Sequence, residues 1–123
     1  MCIRDRVKGW LDSSGNTNEK VYDIAWSGDR VAGADGKLPP VGSTVNVEEA
    51  SFTNTIGVPI LFAYWTDPDF DPDQQAFYYV RVIEIPTPRW TAFDAKIFNV
   101  DMGDDVPMEL QERAYTSPIW YTP

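Results

Sequence analysis

Histidine is absent from these 123 residues, which removes the commonest general base and the commonest zinc or iron ligand among side chains. The single cysteine, Cys2, has no disulfide partner within the chain, and neither thiol nor serine chemistry has an imidazole to assist it. Positive charge is also scarce. Ten Lys and Arg stand against 19 Asp and Glu, a formal charge of -9 that repels phosphate backbones and anionic lipid surfaces. Neither a nucleic acid nor a membrane surface is therefore expected as a partner. No apolar run approaches the roughly 20 residues a membrane-spanning helix needs, and no basic-then-apolar pattern opens the chain. There is no GxGxxG and no Walker-type phosphate loop. Carboxylates are the reactive groups that remain.

What the chain has in quantity is apolar and aromatic side chains, 43% and 14% of its residues, enough for a packed core in one domain. The organising stretch is Gln75–Pro86, QAFYYVRVIEIP, with no Gly inside it and Pro only at its end. Tyr78, Val80 and Val82 share one parity; Phe77, Tyr79, Ile83 and Ile85 share the other, with only Arg81 polar. A strand apolar on both sides needs cover on both, so it is predicted to lie centrally in a sandwich. Val7–Leu11 and Glu19–Trp26 read as a hairpin closed by the turn formers Asp12–Asn16. Ser27–Thr44 reads as a surface loop, and Val45–Val47 and Phe52–Thr55 as brief strands. Ile56–Thr66 is a second apolar segment, with a strand predicted from Ile60 to Trp65 that pairs antiparallel with Phe77–Ile85. Thr91 is the predicted N-cap of a short helix through about Phe98, Asp105–Val106–Pro107 the predicted start of a second, and Ile119–Trp120–Tyr121 a last strand. The fold class is thus mainly β, an antiparallel sandwich-like domain with two short C-terminal helices.

Three groups of residues stand out as candidates. Asp67, Asp69, Asp71 and Asp73 alternate through a Pro-punctuated loop, which is how calcium loops gather oxygen ligands. The EF-hand pattern fails, because Pro72 and Tyr78 stand where Gly and Glu are required, and a solvated acidic loop is the favoured explanation of the run. Five tryptophans and six tyrosines raise a second idea, aromatic platforms for a sugar, against which core packing competes. Arg89 and Trp90, in the proline-stiffened Ile85–Thr91 stretch, are ligand-contact candidates; an Arg stacked on its neighbouring ring is the alternative.

The opening Met1–Arg6 joins no recognisable element and has the look of a translated sequencing-adapter remnant. Native sequence is then expected from Val7, inside a longer protein. Phe77–Val82, Ile85–Thr91 and Glu112–Tyr121, with Glu19–Asp23 and Trp65–Pro72, closely resemble the C-terminal end of the bacterial domain-of-unknown-function family 3604. The resemblance runs from about Val7 to Pro123. Longer members of that family resemble metal-dependent hydrolases of the PHP and amidohydrolase type, in which an α/β barrel carries His and Asp metal ligands. The resemblance implies that residues 7–123 are a C-terminal accessory region packed on an upstream catalytic barrel of the same chain. A divalent metal is implied for that parent and no cofactor for this piece, and Arg89, Trp90 or the acidic loop would reach the mouth of the active site. A stand-alone carbohydrate- or calcium-binding module is the competing expectation.

Overall fold

The run at Gln75–Pro86 forms strand β3 (Ala76–Ile83), and the computed structural model, which describes residues 1–123, sets it inside a five-stranded antiparallel sheet. On one side β3 pairs with β1 (Ile3–Leu11), which pairs in turn with β2 (Thr17–Trp26). Two short strands from the C-terminus share its other side, β6 (Arg113–Tyr115) beside Arg81–Ile83 and β7 (Ile119–Tyr121) beside Ala76–Tyr78. The chain is mainly β, as its alternating apolar residues require. The β1–β2 hairpin closes as predicted: the Asp12 carboxylate accepts the backbone N–H groups of Ser14 and Asn16, both at 2.9 Å, and Gly15 takes φ 80°.

The first strand begins earlier than the sequence indicates. Ile3–Arg6, read as joining no element, pairs with β2 and β3 along its whole length. Cys2 and Asp5 are each 1% exposed, so both are interior groups of the sheet. Asp5 lies directly opposite Arg81 and accepts its guanidinium hydrogen bonds at 2.7 and 3.0 Å. A cross-strand ion pair hides a strand from sequence reading, because its charges look like surface until the partner is known.

The second departure concerns Ile60–Trp65, which is not a strand. Both edges of β3 are taken, by β1 and by β6 with β7, so no ladder position is left for it. It lies instead as an extended strap across one face of the sheet, running in the same direction as β1. Met1 exchanges backbone hydrogen bonds with Val58 (2.9 and 3.0 Å), Arg4 donates to the Leu61 carbonyl (3.1 Å), and Arg6 sits over the Trp65 ring. Alternation survives without the ladder: Leu61, Ala63 and Trp65 are partly covered, while Ile60, Phe62 and Tyr64 are 77%, 88% and 92% exposed. Gly57 makes the approach possible. Its φ is +78°, and a Cβ there would stand 2.5 Å from Ile85 Cγ2 and 2.9 Å from the Met1 carbonyl oxygen. Gly57→Ala should therefore cost about 1–3 kcal/mol, read as a lower urea midpoint at unchanged slope; an unchanged midpoint would show that the strap does not depend on this contact.

Beyond β3 the chain forms a two-stranded ribbon, β4 (Thr87–Pro88) with β5 (Glu109–Leu110), and one helix, α1 (Trp90–Phe98). The helix starts two residues before the predicted position. Arg89 is its N-cap without a side-chain bond, since a guanidinium has no acceptor to offer, and the Thr91 hydroxyl donates instead to the Pro107 carbonyl at 2.6 Å. Asn99 ends it in the left-handed region, which Asn tolerates. The second predicted helix is absent: Val106 N–H closes a turn on Gly103, and the chain then pairs as β5. The brief strands expected at Val45–Val47 and Phe52–Thr55 reduce to one bridge, Asn46 to Ser51.

Burial is sparse. Only 15 of 123 residues are buried, and the accessible surface is 8463 Å², whereas a compact monomer of 13.9 kDa exposes about 6,700 Å². Large apolar side chains left exposed include Phe62 and Tyr64 on the strap, Trp90, Phe93 and Ile97 on α1 and Trp120 on β7, whereas Tyr78, Val80 and Ala76 of β3 are covered.

Candidate functional site

The acidic loop is a clamp. Lys8, on the strap-covered face of β1, donates to Asp67 Oδ2 at 2.6 Å and to the Asp69 carbonyl at 2.7 Å. Tyr78 donates to the same Asp67 oxygen at 2.7 Å, while Lys20 and Tyr22 of β2 hold Asp69 Oδ2 at 2.5 and 2.7 Å. The Lys8 and Asp67 side chains are 3% and 6% exposed, a buried ion pair. Burial pushes the Asp67 carboxyl up, but the hydrogen bonds from Lys8 and Tyr78 outweigh it and hold the group below the ordinary carboxylate range. Burial first, and the facing carboxylates second, raise both tyrosine hydroxyls above their usual value. Asp71 and Asp73 lie outside this network, where Asp71 Oδ1 accepts the Asp73 backbone N–H at 2.9 Å. The structure thus separates the four acids: two are bound to ammonium and phenol groups of the sheet, and two form an exposed turn.

Arg89 and Trp90 stand together at the start of α1, with the guanidinium carbon 5.8 Å from the centre of the indole. Trp90 is 62% exposed, so the ring is presented rather than buried. More telling is the helix it begins. Its covered side is Thr91 and Ala92, 4% and 0% exposed, while Phe93 and Ile97, on the same side as Trp90, are 45% and 70% exposed. A surface helix normally turns its large apolar residues inward; α1 turns them outward.

Another feature lies at the opposite end of the sheet, on the face the strap leaves open. Gly9 carries the Phe77 ring directly above it: a Cβ would come within 2.4 Å of the ring. Beside this ring is a groove of about 520 Å³, walled by Phe77, Trp120 and Leu11 and rimmed by Glu19, Gln75 and Thr17. The Phe77 and Trp120 rings are 5.1 Å apart, and the aromatic row continues to Tyr79 at 6.4 Å and on to Tyr115 at 6.1 Å. Trp120 is 72% exposed. Trp120 was expected in the last strand, where core packing competes with an aromatic platform; β7 does pair with β3, but its short strand stands at the side of an uncovered sheet face. The alternation of Phe77 and Tyr79 was the available signal, since it shows two apolar faces without showing which one is covered.

No three acidic or thiol groups converge on a point that could hold a metal ion. The Cys2 thiol is buried and donates to the Glu84 carbonyl at 3.1 Å; burial raises its pKa, so it is held as an unreactive thiol.

Fold and site together define a mainly-β, antiparallel-sheet domain with a buried ion-pair clamp, an outward-facing apolar helix and an open aromatic groove. The chain belongs to the family described as "Protein of unknown function (DUF3604)", which it matches over residues 5–123. No curated protein and no solved structure matches it.

Proposed function

We propose that this chain is the non-catalytic accessory region of a metal-dependent hydrolase, docked through α1 on the catalytic barrel of the same polypeptide. The observation that carries the reading is the inverted helix: Trp90, Phe93 and Ile97 face solvent while small residues face the domain. The surface excess of about 1,800 Å² over a compact monomer has the scale of an obligate contact. A second copy is the poorer occupant, since two bodies each of charge -9 repel. The five-stranded sheet and its strap serve as the sandwich-like body that carries the helix. No residues of this chain fit the ion that such a hydrolase needs: histidine is absent, Cys2 is enclosed, and Asp67 and Asp69 are already bound. The ligands therefore belong to the barrel. Arg89 and Trp90, at the first turn of the docking helix, are the residues that reach the barrel's active-site mouth.

The test uses a full-length family member beside the isolated chain. Phe93→Asp with Ile97→Asp should lower the melting temperature of the full-length protein by several degrees and leave that of the isolated chain unchanged. Arg89→Ala with Trp90→Ala should reduce turnover with folding intact. Equal melting effects in both proteins, with unchanged kinetics, would remove the reading.

A further inference from the structure

We infer that the groove over Gly9 is a binding site for a neutral oligosaccharide. Pyranose rings have an apolar C–H face and a rim of hydroxyls, so a site for them needs flat aromatic walls beside free hydrogen-bonding side chains. This groove combines both. Phe77 and Trp120 supply adjacent ring faces whose negative π-clouds meet the slightly positive C–H hydrogens of a sugar. Glu19, Gln75 and Thr17 line the rim with a carboxylate, an amide and a hydroxyl. Of the polar side chains around the groove, Asn18 is tied locally, to the Asn16 carbonyl at 3.1 Å, and the Tyr121 hydroxyl is turned away to Pro72. The three rim groups are free to exchange hydrogen bonds with hydroxyls.

The size and the charge narrow the ligand. A groove of about 520 Å³ is in the range of small-molecule sites, and the aromatic row continues past it through Tyr79 to Tyr115, which favours a chain of sugar units over a single one. Acidic glycans would meet Glu19 and a body of charge -9; neutral ones meet no such penalty. The absent side chain at Gly9 is what seats the Phe77 ring at the groove, since any larger residue would displace it. The groove is at the Leu11 and Ala76 end of the sheet, away from α1, so this site and the docking helix are independent.

Titration of the purified chain with neutral oligosaccharides built from glucose, xylose or mannose units, and with an oligogalacturonate as the acidic control, tests the assignment by tryptophan fluorescence and calorimetry. At least one neutral series should give saturable binding, and the acidic control none. Trp120→Ala should weaken it about tenfold or more, Glu19→Gln should weaken it with an unchanged melting temperature, and Phe62→Ala, on the strap across the other face of the sheet, should leave it intact. If Trp120→Ala fails to fold, the exposed Glu19→Gln variant still decides. Absence of binding by every neutral series, or binding indifferent to both groove substitutions, would overturn the site while leaving the α1 reading untouched.

Discussion

Asp67→Ala will lower the unfolding free energy by about 3–5 kcal/mol, because it leaves the Lys8 ammonium charged and buried without its counter-ion. Tyr78 loses its acceptor at the same time. Burying two charges is itself expensive, so the pair is held for geometry more than for net gain: it fixes where the strap ends on the sheet. The double replacement Lys8→Met with Asp67→Leu should consequently recover most of the loss, and urea denaturation of both variants measures it. Equal losses in the single and double variants would show that the clamp's charges are not coupled.

The same pair makes stability depend on pH in a definite direction. The folded Asp67 carboxyl is held below its ordinary range by Lys8 and Tyr78 despite its burial. A depressed carboxyl contributes stability that is fully present above the unfolded value of about 3.9 and is lost as pH falls through the folded value. The urea midpoint of the wild type should decline as pH drops below about 4, and the Lys8→Met, Asp67→Leu variant should decline less steeply. Asp69, Asp12 and Glu49 are depressed too, by hydrogen bonds first from Lys20, Asn16 and Lys96, so the slope is reduced rather than abolished.

Asp5→Ala is the second large effect, about 2–4 kcal/mol. Asp5 is 1% exposed and accepts three hydrogen bonds from the Arg81 guanidinium, whose own side chain keeps 28% of its surface. Access to water lets the abandoned arginine remain solvated, which is why the loss is smaller than at Asp67. Burial and the neighbouring Asp5 charge raise the Asp23 carboxyl, so Asp5→Asn should also bring Asp23 down, an effect a carboxyl NMR titration reads directly. An unchanged Asp23 together with unchanged stability would show that Asp5 and Arg81 act independently.

These two ion pairs mark the limit of what the residues disclose alone. The hairpin at Asp12–Asn16, the apolar run at β3 and the strand at Ile119–Tyr121 were all legible, because each depends on local turn chemistry or on a period of two. Ile3–Arg6 was not, since Asp5 and Arg81 are 76 positions apart and neutralise each other only across the sheet. Ile60–Trp65 has a strand's alternation but not a strand's partners. Trp90, singled out as a ligand-contact candidate, has an exposed ring, while Gly9 was passed over: a glycine in a strand declares a vacancy only when the ring that fills it is known.

The order of residues alone determined the β character, the acidic charge, the lack of an imidazole and the membership in a family that spans residues 5–123. Which face of β3 is covered, which apolar segment becomes a strap, and which carboxylates are bound were decided only by tertiary structure. The physical reason is that a sheet has a limited number of edges and a buried charge a limited number of partners. Both are allotted by competition among segments far apart in the chain, and no local pattern records the outcome.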